Sequence, residues 1–182
     1  MTKMCQTKRQ ADALIGSAQP NTSALHHVLC HGVQGFCPDG ALTSRKHQCF
    51  FIWNVALIQA DEVRMARWLD KQIPEGIRIL CSPAVRAEQT VAALGRKYKV
   101  RDELSPQGNH DHLLELVQWP HGKHAVLVVG HQPFLGRTAA KLLQLPEEDL
   151  AIRKGAVWWF RTRVREGETQ TVLLSVQSPE ML

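Results

Sequence analysis

Acidic residues are almost missing from the first third of this chain: Asp12 and Asp39 are the only two before residue 60. A second absence is a long apolar run. No stretch of about 18 apolar residues occurs, so no membrane-spanning helix is expected. The longest apolar stretch, Cys49 to Ile58, is interrupted by Asn54 and lies too far from residue 1 to act as a signal peptide. The five cysteines form no Cys-x-x-Cys pair. A chain of 20.5 kDa can bury roughly 70% of its unfolded surface without staples. An odd cysteine count in such a chain therefore points to free thiols in a reducing cytosol. Cys30, His31, Cys37, His47 and Cys49 match no standard zinc-ligand frame, so no metal is expected. Repeats and low-complexity segments are absent as well.

What is present is the composition of a soluble globular chain, 44% hydrophobic and 21% charged over 182 residues. The net charge of +5 is unevenly placed. Residues 1–60 carry +3, whereas residues 61–182 carry 17 basic and 15 acidic residues that interleave. Interleaved charge makes no continuous basic face, so nucleic acid is not an expected partner, and neither is a membrane. Residues 1–24 are polar and aperiodic, 25–48 irregular, and regular signals begin at Asp61. The chain thus divides into an atypical segment, 1–60, and an α/β domain, 61–182.

Within 61–182 the pattern predicts a helix capped by Asp61 and ended by Pro74, a strand over 77–81, and a helix from Pro83 to Leu94 with Ser82 as its N-cap. An extended piece over 100–104, a helix over 112–119 and a strand over 125–129 follow. The unbroken Ala125-Val126-Leu127-Val128-Val129 run marks that strand as buried on both faces. A helix over 134–145 and two strands, 156–161 and 169–176, complete the chain. Alternation of this kind predicts a three-layer α/β sandwich with a mostly parallel central sheet, its first strand unassigned. The pair Trp158-Trp159 is expected to place one ring in the core and one as a cover.

Two motifs follow strands directly, at the sheet edge where ligands of parallel α/β folds bind. The first is Ser82-Pro83-Ala84-Val85-Arg86-Ala87-Glu88-Gln89-Thr90, in which Arg86 lies near a helix N-terminus and can hold a phosphate bidentately. The alternative for Arg86 is a solvated arginine paired with Glu88 or Asp102. The second is Val128-Val129-Gly130-His131-Gln132-Pro133, where His131 can donate to a phosphoryl oxygen or transfer a proton. A loop carbonyl satisfying His131 is the alternative there. Gly130 is expected to let a ligand approach the backbone.

From about residue 64 to the end, these motifs, with Met65-Ala66-Arg67-Trp68-Leu69 and Asp102-Glu103-Leu104-Ser105-Pro106, resemble the histidine phosphatase superfamily. The nearest branch is the SixA-type phosphohistidine phosphatases, with a phosphoglycerate mutase-like fold. The resemblance implies a phosphatase without cofactor or metal, in which a first-strand histidine attacks phosphorus and water hydrolyses the phosphohistidine. It implies that Arg86 and His131 bind the phosphoryl group and that Glu103 is a possible acid near the leaving group. The substrate it implies is a phosphorylated protein or small molecule. The family's first strand ends in Arg-His-Gly, and this chain has no such triplet; Cys30-His31-Gly32 is the nearest imitation, making His31 the weak candidate nucleophile. The second reading is therefore a phosphate-binding relative that lacks the nucleophile. Three origins fit the mismatch before residue 60: a shifted reading frame, a misassigned start or a replaced segment.

Overall fold

A computed structural model describes residues 48–55, 59–145 and 150–182, all within one compact unit spanning 35–182. The strands are β1 (Cys49–Asn54), β2 (Arg78–Cys81), β3 (Lys99–Val100), β4 (Val126–Gly130), β5 (Val157–Arg165) and β6 (Glu168–Gln177). The helices are α1 (Gln59–Gln72), α2 (Val85–Ala92), α3 (His110–Val117) and α4 (Phe134–Leu142), with 3-10 turns at Asp102–Leu104 and Pro179–Met181. The sheet order is β3-β2-β4-β1-β5-β6. β3, β2, β4 and β1 run parallel, while β5 and β6 add an antiparallel edge.

The unassigned first strand is Cys-Phe-Phe-Ile-Trp-Asn, and all six of its residues are buried. It sits between β4 and β5, in the middle of the sheet. Its alternate side chains feed two cores, as the period of a strand requires. Phe51 and Trp53 face α1 and α2, joining Met65, Leu69, Ala87, Val91, Leu127 and Val129. Phe50 and Ile52 face α3 and α4, joining Leu113, Val117, Val128, Phe134, Leu135 and Ala139. Covered on both faces, the strand has no polar alternation to announce it. Cys49–Asn54 thus lies in the sheet, although the sequence groups it with the atypical segment up to residue 60. Gln48 ties its start down by donating Nε2–H to the Val117 carbonyl at 2.7 Å and accepting from Gly122 N at 3.1 Å.

Several element ends differ from expectation for local reasons. α1 opens at Gln59, so Asp61 sits in its first turn, where a carboxylate favours the positive end of the helix, and does not cap it. α3 begins at His110 because Asn109 Oδ1 accepts the Asp111 N–H at 2.8 Å. α2 begins at Val85 with Ala84 at its N-cap and no side-chain cap. On β5, Trp159 stacks on Phe51 with ring centroids 4.9 Å apart, while half-buried Trp158 lies with Phe160 on the other face. No helix among the described residues is long and apolar enough to cross a membrane.

Candidate functional site

The carboxyl ends of four parallel strands are levelled by backbone hydrogen bonds. Val55 N donates to the Gly130 carbonyl at 3.0 Å, Ser82 N to Val129 at 3.0 Å, and Arg101 N to Cys81 at 2.9 Å. Ser82 thereby stands beside Gly130 and His131. The turn through Pro83 and Ala84 starts α2, and its second residue, Arg86, reaches back over this edge. Arg86 Nε donates to His131 Nδ1 at 3.1 Å. His131 Nε2 lies 2.8 Å from Ser82 Oγ. Ser82 Oγ also accepts the Ala84 N–H at 3.3 Å, but the N-cap position of α2 is Ala84, so Ser82 is not the helix cap.

The electrostatics follow from this packing. His131 is 1% exposed, and burial, then the neighbouring Arg86 charge, holds its pKa below the ordinary 6.5. Both causes favour the uncharged ring. Arg86 itself is exposed, and among the described residues its terminal guanidinium nitrogens make no hydrogen bond, leaving them open to an anion. The expected alternative pairings of Arg86 with Glu88 or Asp102 do not occur. Cys81 is another conventional nucleophile at this edge. Burial, then Glu88, raises its thiol to about 12, and Sγ–H donates to the Ser82 carbonyl at 3.3 Å, both of which disfavour the thiolate.

Other expected residues are placed differently. Glu103 is exposed in the 3-10 turn after β3 and, among the described residues, makes no hydrogen bond to Arg86 or His131. Gly130 does not open the backbone to a ligand, because the space of its absent Cβ faces Leu135 Cδ2 at 3.4 Å, inside the α4 core. His31, with Cys30, Cys37 and His47, lies outside the described residues. Cys49 is buried in β1. Opposite Gly130, at the end of β1, stands Asn54. Its Nδ2–H₂ donates to the carbonyls of Ile152 at 2.9 Å and Arg153 at 3.2 Å. Gln132 Nε2 donates to the same Ile152 carbonyl at 3.3 Å, so Asn54 is committed to holding the 150–153 loop. The sequence signalled Asn54 only as the one polar interruption of the apolar run.

No family model matches the chain. The phosphohistidine phosphatase SixA of Escherichia coli (strain K12) is 37% identical over 91 residues, 45% of this chain and 56% of that protein. The chain thus aligns with just over half the length of this curated relative. A structure of the protein histidine phosphatase SixA complexed with tungstate matches with a TM-score of 0.58 and 26% identity, covering 73% of this chain and 98% of that one. A phosphoglycerate mutase from Plasmodium falciparum shares the fold alone, at TM-score 0.56 and 14% identity, covering 71% and 90%. In strand order, in the two strand-end motifs and by these likenesses, the chain is similar to the SixA-type proteins of the histidine phosphatase superfamily.

Proposed function

We propose that this chain is a metal-independent phosphatase that works through a phosphohistidine intermediate, on protein phosphohistidine or a small phosphorylated compound. The observation that carries the reading is the contact of Arg86 with His131 at the carboxyl edge of β2 and β4. A phosphoryl group has oxygens that only accept. The open guanidinium nitrogens of Arg86 and an imidazole N–H of His131 are donors suited to them and to the charge that spreads over them in the transition state. A related SixA is complexed with tungstate, a tetrahedral oxyanion shaped like phosphate, which supports the same ligand class. In the proposed reaction a histidine nitrogen bonds to phosphorus as the leaving-group bond breaks, and water then returns the imidazole and releases phosphate. The nucleophile comes from outside the described residues, His31 being the candidate. Glu103 is the candidate proton donor to the leaving group. The buried free thiol of Cys81 suits a reducing cytoplasm.

A second reading is favoured by Asn54. The strand end beside His131 carries a committed carboxamide followed by apolar Val55, and neither can attack phosphorus. In this reading the chain binds phosphate and does not turn it over.

One pair of measurements decides. Hydrolysis of p-nitrophenyl phosphate and of a phosphohistidine peptide is followed with EDTA present, alongside calorimetric titration with inorganic phosphate. Turnover lost in both Arg86→Ala and His131→Ala supports the phosphatase. Phosphate binding without turnover supports the second reading. Neither binding nor turnover overturns both. Each charge-assisted hydrogen bond is worth about 1.5–3 kcal/mol, so Arg86→Ala is expected to weaken phosphate binding by about 10- to 100-fold.

A further inference from the structure

A serine hydroxyl 2.8 Å from a histidine nitrogen has the geometry of an activated nucleophile and its base. With no histidine at the end of β1, Ser82 is an obvious substitute. The third member of the group excludes it. Arginine has only donors and does not lose its proton, so Arg86 Nε–H can meet His131 only if Nδ1 offers a lone pair. A neutral imidazole carries one N–H, which must then be on Nε2. That N–H points at Ser82 Oγ, and the hydroxyl oxygen receives a proton there instead of giving one up. In a serine–histidine nucleophile pair the polarity is the reverse: the third group accepts from Nδ1–H and leaves Nε2 free to take the serine proton.

We infer that Ser82 is a positioning residue, the acceptor that holds His131 as an Nε2–H donor aimed along the edge of the sheet, and not a nucleophile. Three observations carry this. Ser82 is fully buried, so it acts through its neighbour and not on solvent. Its backbone is fixed by the Ser82 N to Val129 bond, which sets its Cα beside the end of β4 that carries His131. Ala84 N–H occupies a further acceptor site on Oγ, leaving the oxygen to serve as acceptor twice. The chain of donors runs Arg86 to His131 to Ser82 in one direction. In the proposed function a phosphoryl oxygen joins or replaces Ser82 Oγ as acceptor of the His131 Nε2–H, with the ring already in the tautomer it needs. Only that last consequence rests on the phosphatase reading; the tautomer belongs to the free protein.

The test is nitrogen-15 NMR of histidine-labelled full-length protein above neutral pH, without substrate, with His131→Gln used to assign the signals. Expected is a protonated, pyrrole-type Nε2 and an unprotonated, pyridine-type Nδ1, with an Nε2–H proton slow to exchange with water. Ser82→Ala is expected to speed that exchange at least tenfold, and Ser82→Thr, which keeps the hydroxyl, to restore it. A merely structural serine would move stability without moving this proton. An unprotonated Nε2 in the wild type overturns the inference, and so does an exchange rate unchanged by Ser82→Ala. Should Ser82→Ala not fold, Ser82→Cys, whose sulfur is a weaker acceptor, takes its place in the exchange test, and an unchanged rate there overturns the inference equally. A protein that binds no phosphate but shows the expected tautomer sinks the proposed function and leaves this inference standing. If turnover is found, Ser82→Ala is expected to lower kcat and Ser82→Thr to recover it; a covalent phosphoserine at Ser82 would overturn the assignment.

Discussion

At His131 the direction of the pKa shift determines how acid acts on the fold. The folded ring holds its proton less well than the ordinary 6.5 of an exposed histidine. As pH falls, the unfolded chain binds that proton first, and linkage then favours unfolding. Stability is complete above about 6.5 and is lost as pH drops through the lower folded value. The urea midpoint is expected to fall between about pH 7.5 and about pH 5, and to fall less in His131→Gln. An equal fall in the variant would place the acid sensitivity elsewhere. Cys81 gives a second prediction at this scale. With its thiol pushed up to about 12, it should resist Ellman's reagent in the native protein and react in urea. Cys81→Ser should therefore leave the native thiol count unchanged and lower the denatured count by one.

For individual elements, β1 and α4 pack beside the strand end that carries His131. Phe51 is fully buried and stacked on Trp159. Phe51→Ala is expected to cost about 3–5 kcal/mol, read as a lower urea midpoint. At α4 the helix after His131 passes so close to the 150–153 loop that a Cβ on Gly136 would meet the backbone oxygen of Leu150. Gly136→Ala is expected to cost about 1–3 kcal/mol by overpacking; a midpoint equal to wild type would mean that the loop is free to yield. The helices and β4 were legible in the sequence because each carries a local signal: helical spacing, an unbroken aliphatic run, a proline or glycine at the end. The strand β1 carried none. Its partners lie more than 70 residues away, at Val126–Gly130 and Val157–Arg161, and aromatic residues buried on both faces look the same in a strand as in any other core segment. Ser82 was visible but assigned to helix capping, the usual use of a serine before a proline, until the register of β2 against β4 brought it to His131.

Across the whole molecule, the two cores share one sheet, and β1 and β4 contribute side chains to both. Amides of these central strands should be the slowest to exchange with deuterium, opening only with global unfolding. The hairpin tip from Arg163 to Gln170, exposed throughout, should exchange faster than these strands. Rapid exchange in β1 with protection elsewhere would show that it is not part of the cooperative core. Composition and local pattern by themselves determined an α/β chain with Arg86 and His131 at strand ends, because strand endings and helix starts are written in neighbouring residues. That Arg86 touches His131, that Ser82 Oγ lies within hydrogen-bond distance of the same ring, and that Asn54 fills the end of the central strand were decided only by tertiary structure. Each of these depends on the register between strands distant in sequence, and register is set by how the two cores pack, not by any one segment.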